Sequence, residues 1–587
     1  MPMERKMGGS FLLEDLSPES LFTPEDFSDE HRMIAETARE FVTRDVMPSL
    51  HDIESQNWDV TLKLMRKAGE LGLLSIDIPE KYGGLGLDKT SSMLVAEQLG
   101  PVGSFTATMM DHTGIGTLPV VFFGTEDQKK KYLAKFATGE LLSSYSLTEP
   151  QSGSDALSIR TTAKLSDDKT HYLLTGSKNF LTNAGLADLC IVFAKIDGEK
   201  FTAFIMDKKS PGVSLGGEEK KMGIKGSSTR SMILEGVKVP VENVLGEIGQ
   251  GHKIAFNILN IGRFKLGAAV IGASKTVITN AVKYAKERKQ FGKAIADFGL
   301  IKHKLGEMAI RAFVGESMVY RTAGLIDTML AGINQDNSTE VLRGIEQYAV
   351  ECSIIKVVAS EILDYVVDEG VQIFGGYGFM EEYPVARSYR DSRINRIFEG
   401  TNEINRLLIT GMLMKRAMKG ELPLMAEAQK LASEIIGSAT PENPAQGPLG
   451  EESALLRAAK KATLFAAGLA AQKYMAKLEE EQEVMAHISD MIMEIYAVES
   501  ALVRVQKMIQ KGKQTDFYMD MARVFTHDAM VRIEQHAKEL LAAVAEGDSL
   551  KTYLLGLRKL LKLSPINAIP LRRRIADHLI AKEAYCF

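Results

Sequence analysis

The sequence predicts an α+β multidomain protein, mainly α. A helical N-terminal domain, a middle antiparallel β-barrel or sandwich domain, a four-helix bundle and a further helical domain follow one another along the chain. Three observations predict this order. Apolar residues recur at helical spacing before Glu140 and again from Gly251, short β-branched and aromatic runs fill the stretch between, and the Pro- and Gly-containing tract Thr440–Pro448 sets off a last helical block. At 587 residues the chain is long enough for several apolar cores.

Residues 1–27 read as an extended or poorly ordered leader, because Pro18 and Pro24 interrupt any long helix. The N-terminal helical domain is expected over 28–142. Ser28 can cap a helix with Met33, Ile34, Ala38, Phe41 and Val42 on one face, and helices follow near Asp59–Leu71, Thr90–Leu99 and Glu126–Ala137. The glycine-rich turn Ile78–Gly86 lacks a following Lys-Ser/Thr, so it is not a phosphate loop.

The middle domain is expected over 143–250, with strands at Ser143–Leu147, Arg160–Leu165, Tyr172–Gly176, Cys190–Ile196, Phe201–Met206 and Ser231–Val239. Lys220–Gly226 reads as a solvated loop ahead of a phosphate contact. The bundle is expected over 251–420, with helices through Ile254–Lys286, Leu300–Gly332, Ile345–Phe374 and Asn402–Lys419 and a polar loop at Asn334–Ser338. A linker over 421–450 and an additional helical domain over 451–587 complete the chain.

Composition narrows the function. A net charge of −5 argues against nucleic acid as the main partner. The three cysteines, Cys190, Cys352 and Cys586, form no CxxC pair, and no histidine spacing suggests a metal; they read as reduced thiols in a cytoplasmic, bacterial setting, with the mitochondrial matrix or inner-membrane surface as the lesser option. No apolar run approaches the roughly 20 residues that span a bilayer. The N-terminus, with Glu4, Arg5 and Lys6 near Gly8-Gly9, reads as neither signal peptide nor transit peptide.

Chemistry concentrates in Arg390–Arg406. Glu399 follows apolar Ile397 and Phe398 and precedes Gly400, which has no side chain to block a ligand's approach to the backbone. Apolar surroundings raise a carboxyl pKa toward neutrality, which suits a base that must take a weakly acidic C–H proton. The competing reading is an ordinary turn before a helix from Asn402, with Glu403 as a first-turn acid.

This segment resembles the active-site signature of the acyl-CoA dehydrogenases. The resemblance runs from about residue 28 to the C-terminus, and it is closest to very-long-chain members, which carry an extra helical region after the catalytic body. Tyr145–Asp155 is similar to the family's first flavin motif, which implies FAD contacts from Tyr145, Leu147, Thr148, Gly153 and Ser154, with Ser154 also facing substrate. Gln151-Ser152 stands where Gly-Ala is usual. Lys178–Gly185 resembles the second flavin segment, with Phe180 in place of a frequent Trp to cover the ring and Thr182 to meet flavin N5.

Glu287–Gly292 resembles the segment that reaches a neighbouring subunit's FAD pyrophosphate. It implies roles for Arg288, Gln290 and Phe291, together with Phe298, after which Gly299 replaces the usual Gln. Gln372, Gly375 and Gly376 resemble the loop along the adenosine end, although a helix C-cap is the alternative there. Asn260, Arg263 and Gly400 are expected at the substrate, and Thr401 and Glu403 among the cofactor contacts. Some relatives place the base on the helix that here carries Gly262, which leaves Glu399 as the base.

The resemblance implies α,β-dehydrogenation of a medium- to long-chain fatty acyl-CoA in β-oxidation. Glu399 would take the α proton, hydride would pass to flavin N5, and electrons would go on to electron-transfer flavoprotein. An acyl-CoA oxidase using O2 and a non-catalytic acyl-CoA-binding scaffold are the alternatives. A homodimer is expected. The basic, leucine-rich stretch Lys551–Arg574 is expected to pack within its own bundle, with peripheral membrane contact as the lesser reading.

Overall fold

Gly251–Glu287 forms the longest helix, and its residues are buried on nearly every side, including Ile258, Phe264, Val270, Ile278 and Val282. A helix that is apolar all round belongs inside a protein, and this one is packed on by helices Lys89–Leu99, Gly299–Leu330 and Ala349–Phe374. It is long and apolar enough to cross a membrane by length and composition, but 83% of its most apolar window is buried in the protein. The computed structural model describes residues 5–334, 337–437 and 447–587.

The N-terminal helices of eight residues or more are α1 (Asp29–Phe41), α2 (Trp58–Glu70), α3 (Lys89–Leu99), α4 (Gly103–Met110) and α5 (Glu126–Thr138). Ser28 caps α1 as expected, its side chain accepting from the backbone N–H of His31. The axial helix, α6 (Gly251–Glu287), crosses α3 at close range. A Cβ on Gly272 would lie 1.8 Å from the carbonyl oxygen of Glu97, so only glycine permits that approach.

The middle region holds β1 (Ser143–Ser146), β2 (Thr162–Leu165), β3 (His171–Thr182), β4 (Leu189–Ile196), β5 (Lys200–Asp207), β6 (Val213–Leu215), β7 (Thr229–Pro240) and β8 (Val244–Leu245) in one eight-stranded sheet of order β6-β7-β3-β2-β4-β5-β8. The expected antiparallel pattern needs correcting at one strand. Both β1 and β2 run parallel to β4, because the chain leaves β1, loops outward and returns before pairing again. Alternation along β4 and β5 sends Ile191, Phe193 and Ile205 toward the helices and Cys190, Val192, Phe204 and Met206 into a second core inside the curved sheet. The loop over 220–226 is not simply solvated: Lys221 donates to Ser227 Oγ at 2.7 Å and Thr229 Oγ1 at 2.8 Å.

After α6 come α7 (Gly299–Leu330), α8 (Ser338–Glu346), α9 (Ala349–Phe374), α10 (Pro384–Ser392) and α11 (Asn402–Met418). The single helix expected over 345–374 breaks at Gln347-Tyr348. There Arg416 Nη2 takes the Gln347 carbonyl at 2.6 Å, and the Tyr348 hydroxyl donates to the Lys6 carbonyl at 2.7 Å. Gln335 and Asp336 of the expected polar loop lie outside the described residues, as do 438–446 of the expected linker. The linker itself is partly helical, with α12 (Leu424–Gly437) packed on the block that follows.

That block contains α13 (Gly450–Tyr474), α14 (Gln482–Gln510), α15 (Asp516–Val544), α16 (Gly547–Leu560) and α17 (Ala568–Lys582). Buried ion pairs join it to the bundle: Arg321 Nη2 to Glu499 Oε2 at 2.7 Å and Arg504 Nη1 to Glu316 Oε2 at 2.6 Å. In the basic stretch Leu557 and Leu561 are buried, Arg572 pairs with Asp528 at 2.5 Å, and Arg574 pairs with Asp520 at 2.7 Å, as packing within the protein requires.

The leader departs most from expectation. Residues 5–27 are an ordered strap across this second helical layer. Phe11, Leu12 and Leu21 are buried, the Phe11 ring meets Tyr496 edge-on at 4.9 Å, and Lys460 Nζ donates to the Glu14 carbonyl at 2.6 Å. Pro18 and Pro24 each open a 3-10 turn within it and do not disorder it. Removing a ring so placed leaves a cavity, so Phe11→Ala is expected to destabilise the protein by about 3 kcal/mol. Thermal or denaturant unfolding measures this; an unchanged midpoint would mean that the strap does not contribute to the fold.

Candidate active site

Glu399 sits at the junction between α10 and α11, and its backbone is left-handed at φ 59°, followed by Gly400 at φ 80°. A non-glycine residue there is strained and must be held by its neighbours. Arg263 Nε donates to the Glu399 carbonyl at 3.0 Å, while Lys356 Nζ and Asn405 Nδ2 donate to the Gly400 carbonyl at 2.6 and 2.9 Å. Lys356 also reaches Asn402 Oδ1 at 2.7 Å, and Thr401 Oγ1 caps α11 by accepting from Ile404 N at 3.2 Å. Two cations and one amide therefore fix two consecutive carbonyls.

The turn directs the Glu399 side chain onto α6. An added Cβ at Gly262 would lie 2.6 Å from Glu399 Oε2, so the carboxylate rests where that helix has no side chain. Oε2 is shielded from solvent and has no hydrogen-bond partner among the described residues. Burial pushes the Glu399 carboxyl up to about 7, against the opposing pull of Arg263 and Lys356. Burial in turn brings Lys356 down to about 7 and lowers Arg263.

Two further groups feel this carboxylate. Asp111, in a π-turn after α4, and Tyr145 on β1 are both raised well above their ordinary values, first by burial and then by Glu399. Asp111 Oδ2, the Tyr145 hydroxyl and Asn183 Oδ1 have no partner among the described residues. Buried polar atoms are nearly always hydrogen-bonded, so several unsatisfied ones around one carboxyl suit a polar ligand.

The two turns expected to carry cofactor contacts are joined by a buried ion pair. Lys178 Nζ lies 2.8 Å from Glu149 Oε1 and donates to the Leu147 carbonyl at 3.1 Å, and Glu149 also accepts from Arg160 N at 2.6 Å. These partners hold Glu149 down to about 2, while burial lowers Lys178 to about 8. The Thr148 carbonyl accepts from Asn179 N at 2.9 Å and the Thr182 carbonyl from Ser144 Oγ at 2.6 Å. The β1 turn and β3 thus form one rigid surface.

On that surface Thr148 and Thr182 are half-buried, and Gly153 and Ser154 are exposed in the turn. Phe180 lies in a register shift of β3 against β7, at φ 55° with its ring 64% exposed, as a bulge re-aims a side chain. Leu147 differs from expectation: its side chain is in the core, so only its backbone lies along this surface. Asn260 is buried on α6 and accepts from Arg263 Nη1 at 3.1 Å. Glu403 is exposed.

Arg288, Gln290, Phe291, Phe298, Gln372, Gly375 and Gly376 are not brought to Glu399. Gly262 on α6 and Arg288 just past its C-terminal end stand about 26 residues apart, roughly 39 Å along a helix axis. At that far end Arg288 lies 5.6 Å from the centre of the Tyr377 ring, Phe291 is 93% exposed at φ 52°, and added Cβ atoms at Gly375 and Gly376 would meet nothing within 4 Å. Phe291 and Phe298 meet edge-on at 6.1 Å. These residues form a second, open surface that does not complete the first within one chain.

Lys356, Asp111, Asn183, Asn405 and the Glu149–Lys178 pair were not singled out by the sequence. A charged residue within an otherwise apolar helix stretch, Ile354–Val358, was the available signal for Lys356.

Comparison with known proteins identifies the relatives of the chain. The acyl-CoA dehydrogenase N-terminal domain family matches residues 28–140, the middle domain 144–237 and the C-terminal domain 249–414, and a second C-terminal domain family matches 458–559. A probable acyl-CoA dehydrogenase of Bacillus subtilis is 52% identical over 586 residues, covering 98% of each chain. The mitochondrial very long-chain specific acyl-CoA dehydrogenase of Macaca fascicularis is 37% identical over 504 residues, 80% of this chain and 73% of that one. A crystal structure of an acyl-CoA dehydrogenase from Bacillus anthracis complexed with FAD superimposes with a TM-score of 0.98 at 51% identity, covering 99% of this chain and 100% of that one. With its helical, β and helical regions in the family's order and matched over most of its length, the chain belongs to the acyl-CoA dehydrogenase family.

Proposed function

We propose that the protein is an FAD-dependent dehydrogenase that converts a medium- to long-chain fatty acyl-CoA to the trans-2-enoyl-CoA in β-oxidation, with Glu399 as the base. The observation that carries this reading is the position of the Glu399 carboxylate, buried against Gly262 with an unpartnered oxygen and a pKa raised to about 7. A base so placed is ionised in part at neutral pH yet strong enough to take a C–H proton next to a thioester.

The exposed Phe180 ring and the hydroxyls of Thr148, Thr182 and Ser154 fit the ring system and linker of FAD, and the unsatisfied Tyr145 hydroxyl and Asn183 Oδ1 fit a polar ligand against them. FAD, when bound, supplies the acceptor for the hydride that leaves the β carbon. Arg288, Gln290, Phe291, Phe298, Gln372, Gly375 and Gly376 would serve the FAD of a second copy, which makes a homodimer the functional unit. Electron-transfer flavoprotein is the proposed acceptor of the electrons; peroxide formed in air at the turnover rate would assign them to oxygen instead.

The chain's own contribution is to hold and move one proton. Arg263, Lys356 and Asn405 fix the strained turn so that Glu399 faces the α carbon of a substrate whose reactive end lies along Asn260, Arg263 and Gly400. The Glu399 backbone N–H would donate to the thioester carbonyl as negative charge develops there, a contribution of about 3–4 kcal/mol for a preorganised donor. Proton and hydride leave adjacent carbons, and a C=C bond forms between them.

Glu399→Gln is expected to keep FAD and lose acyl-CoA-dependent flavin bleaching by at least about 1,000-fold, a loss at the upper end of what a positioned acid or base supplies with part of its charge effect. In the unmutated enzyme kcat/KM should fall below pH about 7 with loss of a single ionisation, because the raised carboxyl is a base only above that value. Stopped-flow absorbance checks both, and near-normal bleaching by the variant would refute the assignment. Lys356→Met removes a charged hydrogen bond to the Gly400 carbonyl, normally about 1.5–3 kcal/mol. It should lower kcat roughly 10- to 100-fold and shift the pH profile, with FAD content retained; an unchanged pH profile would reduce Lys356 to a packing residue.

A further inference from the structure

The helical block after residue 450 carries three metal-binding side chains that the reaction does not use. His487 lies on α14, and His536 and Glu539 lie one turn apart on α15, the helix that packs against it. The Nδ1 atoms of the two imidazoles face each other at 2.9 Å, and Glu539 Oε2 stands 3.4 Å from His487 Nε2. One potential ligand atom from each residue falls within 4.8 Å of the other two.

The local chemistry suits a cation better than the contacts now made. Two ring nitrogens facing each other can share one proton at most, and doubly protonated rings would repel. Gln535 donates to Glu539 Oε1, which leaves Oε2 directed at His487. Around a tetrahedral ion with metal–nitrogen bonds of about 2.0–2.1 Å, two ligand nitrogens stand roughly 3.3 Å apart, so the rings need open by a few tenths of an ångström, and Glu539 Oε2, now against His487 Nε2, must swing toward the ring nitrogen that faces His536. His487 is 26% exposed and Glu539 46%, so an ion and a completing water can enter from solvent.

We propose that His487, His536 and Glu539 form a binding site for one divalent transition cation of the zinc class, which clamps α14 to α15. Two imidazoles and a single carboxylate select Zn2+, Ni2+ or Co2+ over Mg2+ or Ca2+, which demand mostly oxygen ligands. The ligands come from two helices, with His487 49 residues from His536, so no short sequence motif announces the full set. The site is separate from Glu399, but Asp490, one turn beyond His487, accepts from Arg406 on α11 at 2.8 Å. The clamp therefore acts on the layer that backs the catalytic turn.

The test uses untagged, FAD-containing full-length protein, first stripped with a chelator. Zn2+ titrated by calorimetry should bind at one equivalent per chain and raise Tm, Co2+ should develop the visible absorption of a tetrahedral N/O site, and Mg2+ should do neither. The double variant His487→Gln/His536→Gln should lose the Co2+ spectrum, the equivalent and the Tm gain. Because that variant breaks the ring contact and could fail to fold, Glu539→Gln is the second: it keeps both rings and should weaken Zn2+ binding at least about 10-fold. No binding by the unmutated protein, or equal stoichiometry and affinity in Glu539→Gln, would overturn the proposal.

Discussion

The arrangement of the site depends on two backbone carbonyls held by buried donors. Glu399 and Gly400 both adopt left-handed φ, a conformation that an unsupported glutamate leaves readily. Arg263 from α6, Lys356 from α9 and Asn405 from α11 each contribute a hydrogen bond, so the turn is fixed by the mutual packing of three helices and not by its own sequence. The same two cations oppose the rise in the carboxyl pKa, so burial and attraction balance near 7. One set of contacts thus sets both where the base points and how strong it is.

The flavin-side surface follows a similar logic in the sheet. Glu149 and Lys178 are charged residues in a nearly dry interior, where breaking one partner commonly costs about 3–5 kcal/mol. They fasten the turn after β1 to the strand that carries Phe180 and Thr182, which keeps the two candidate cofactor segments in fixed relation. Around the carboxylate, burial and then Glu399 disfavour the ionised forms of Asp111 and Tyr145.

Much of this was legible in the sequence. Periodicity located the axial helix and its neighbours, the capped start of α1 at Ser28, and the change to strands after Glu140. Family resemblance then directed attention to Glu399, Arg263 and Asn260. What was not legible depended on contacts distant in sequence. The leader carries Pro18 and Pro24 and too few apolar residues to form a core, but Phe11 and Leu21 find partners almost 500 residues away on α14. The parallel pairing of β1 with β4, the break at Gln347 and the role of Lys356 likewise arise from tertiary packing. The histidines of α14 and α15 become neighbours only once two helices are laid together.

The central claim is that the Glu399 carboxylate occupies the space left by the missing side chain of Gly262, and Gly262→Ala tests it most directly. The added methyl would fall 2.6 Å from Oε2, and the carboxylate, as the end of a flexible side chain, is the group that must yield. Alanine also favours the helix by up to about 1 kcal/mol, so folding and FAD content should be kept. Single-turnover flavin bleaching by an acyl-CoA is expected to fall by at least about 10-fold, from displacement of the base by an ångström or so. Bleaching at the unmutated rate, in a variant that binds FAD and substrate normally, would contradict the account.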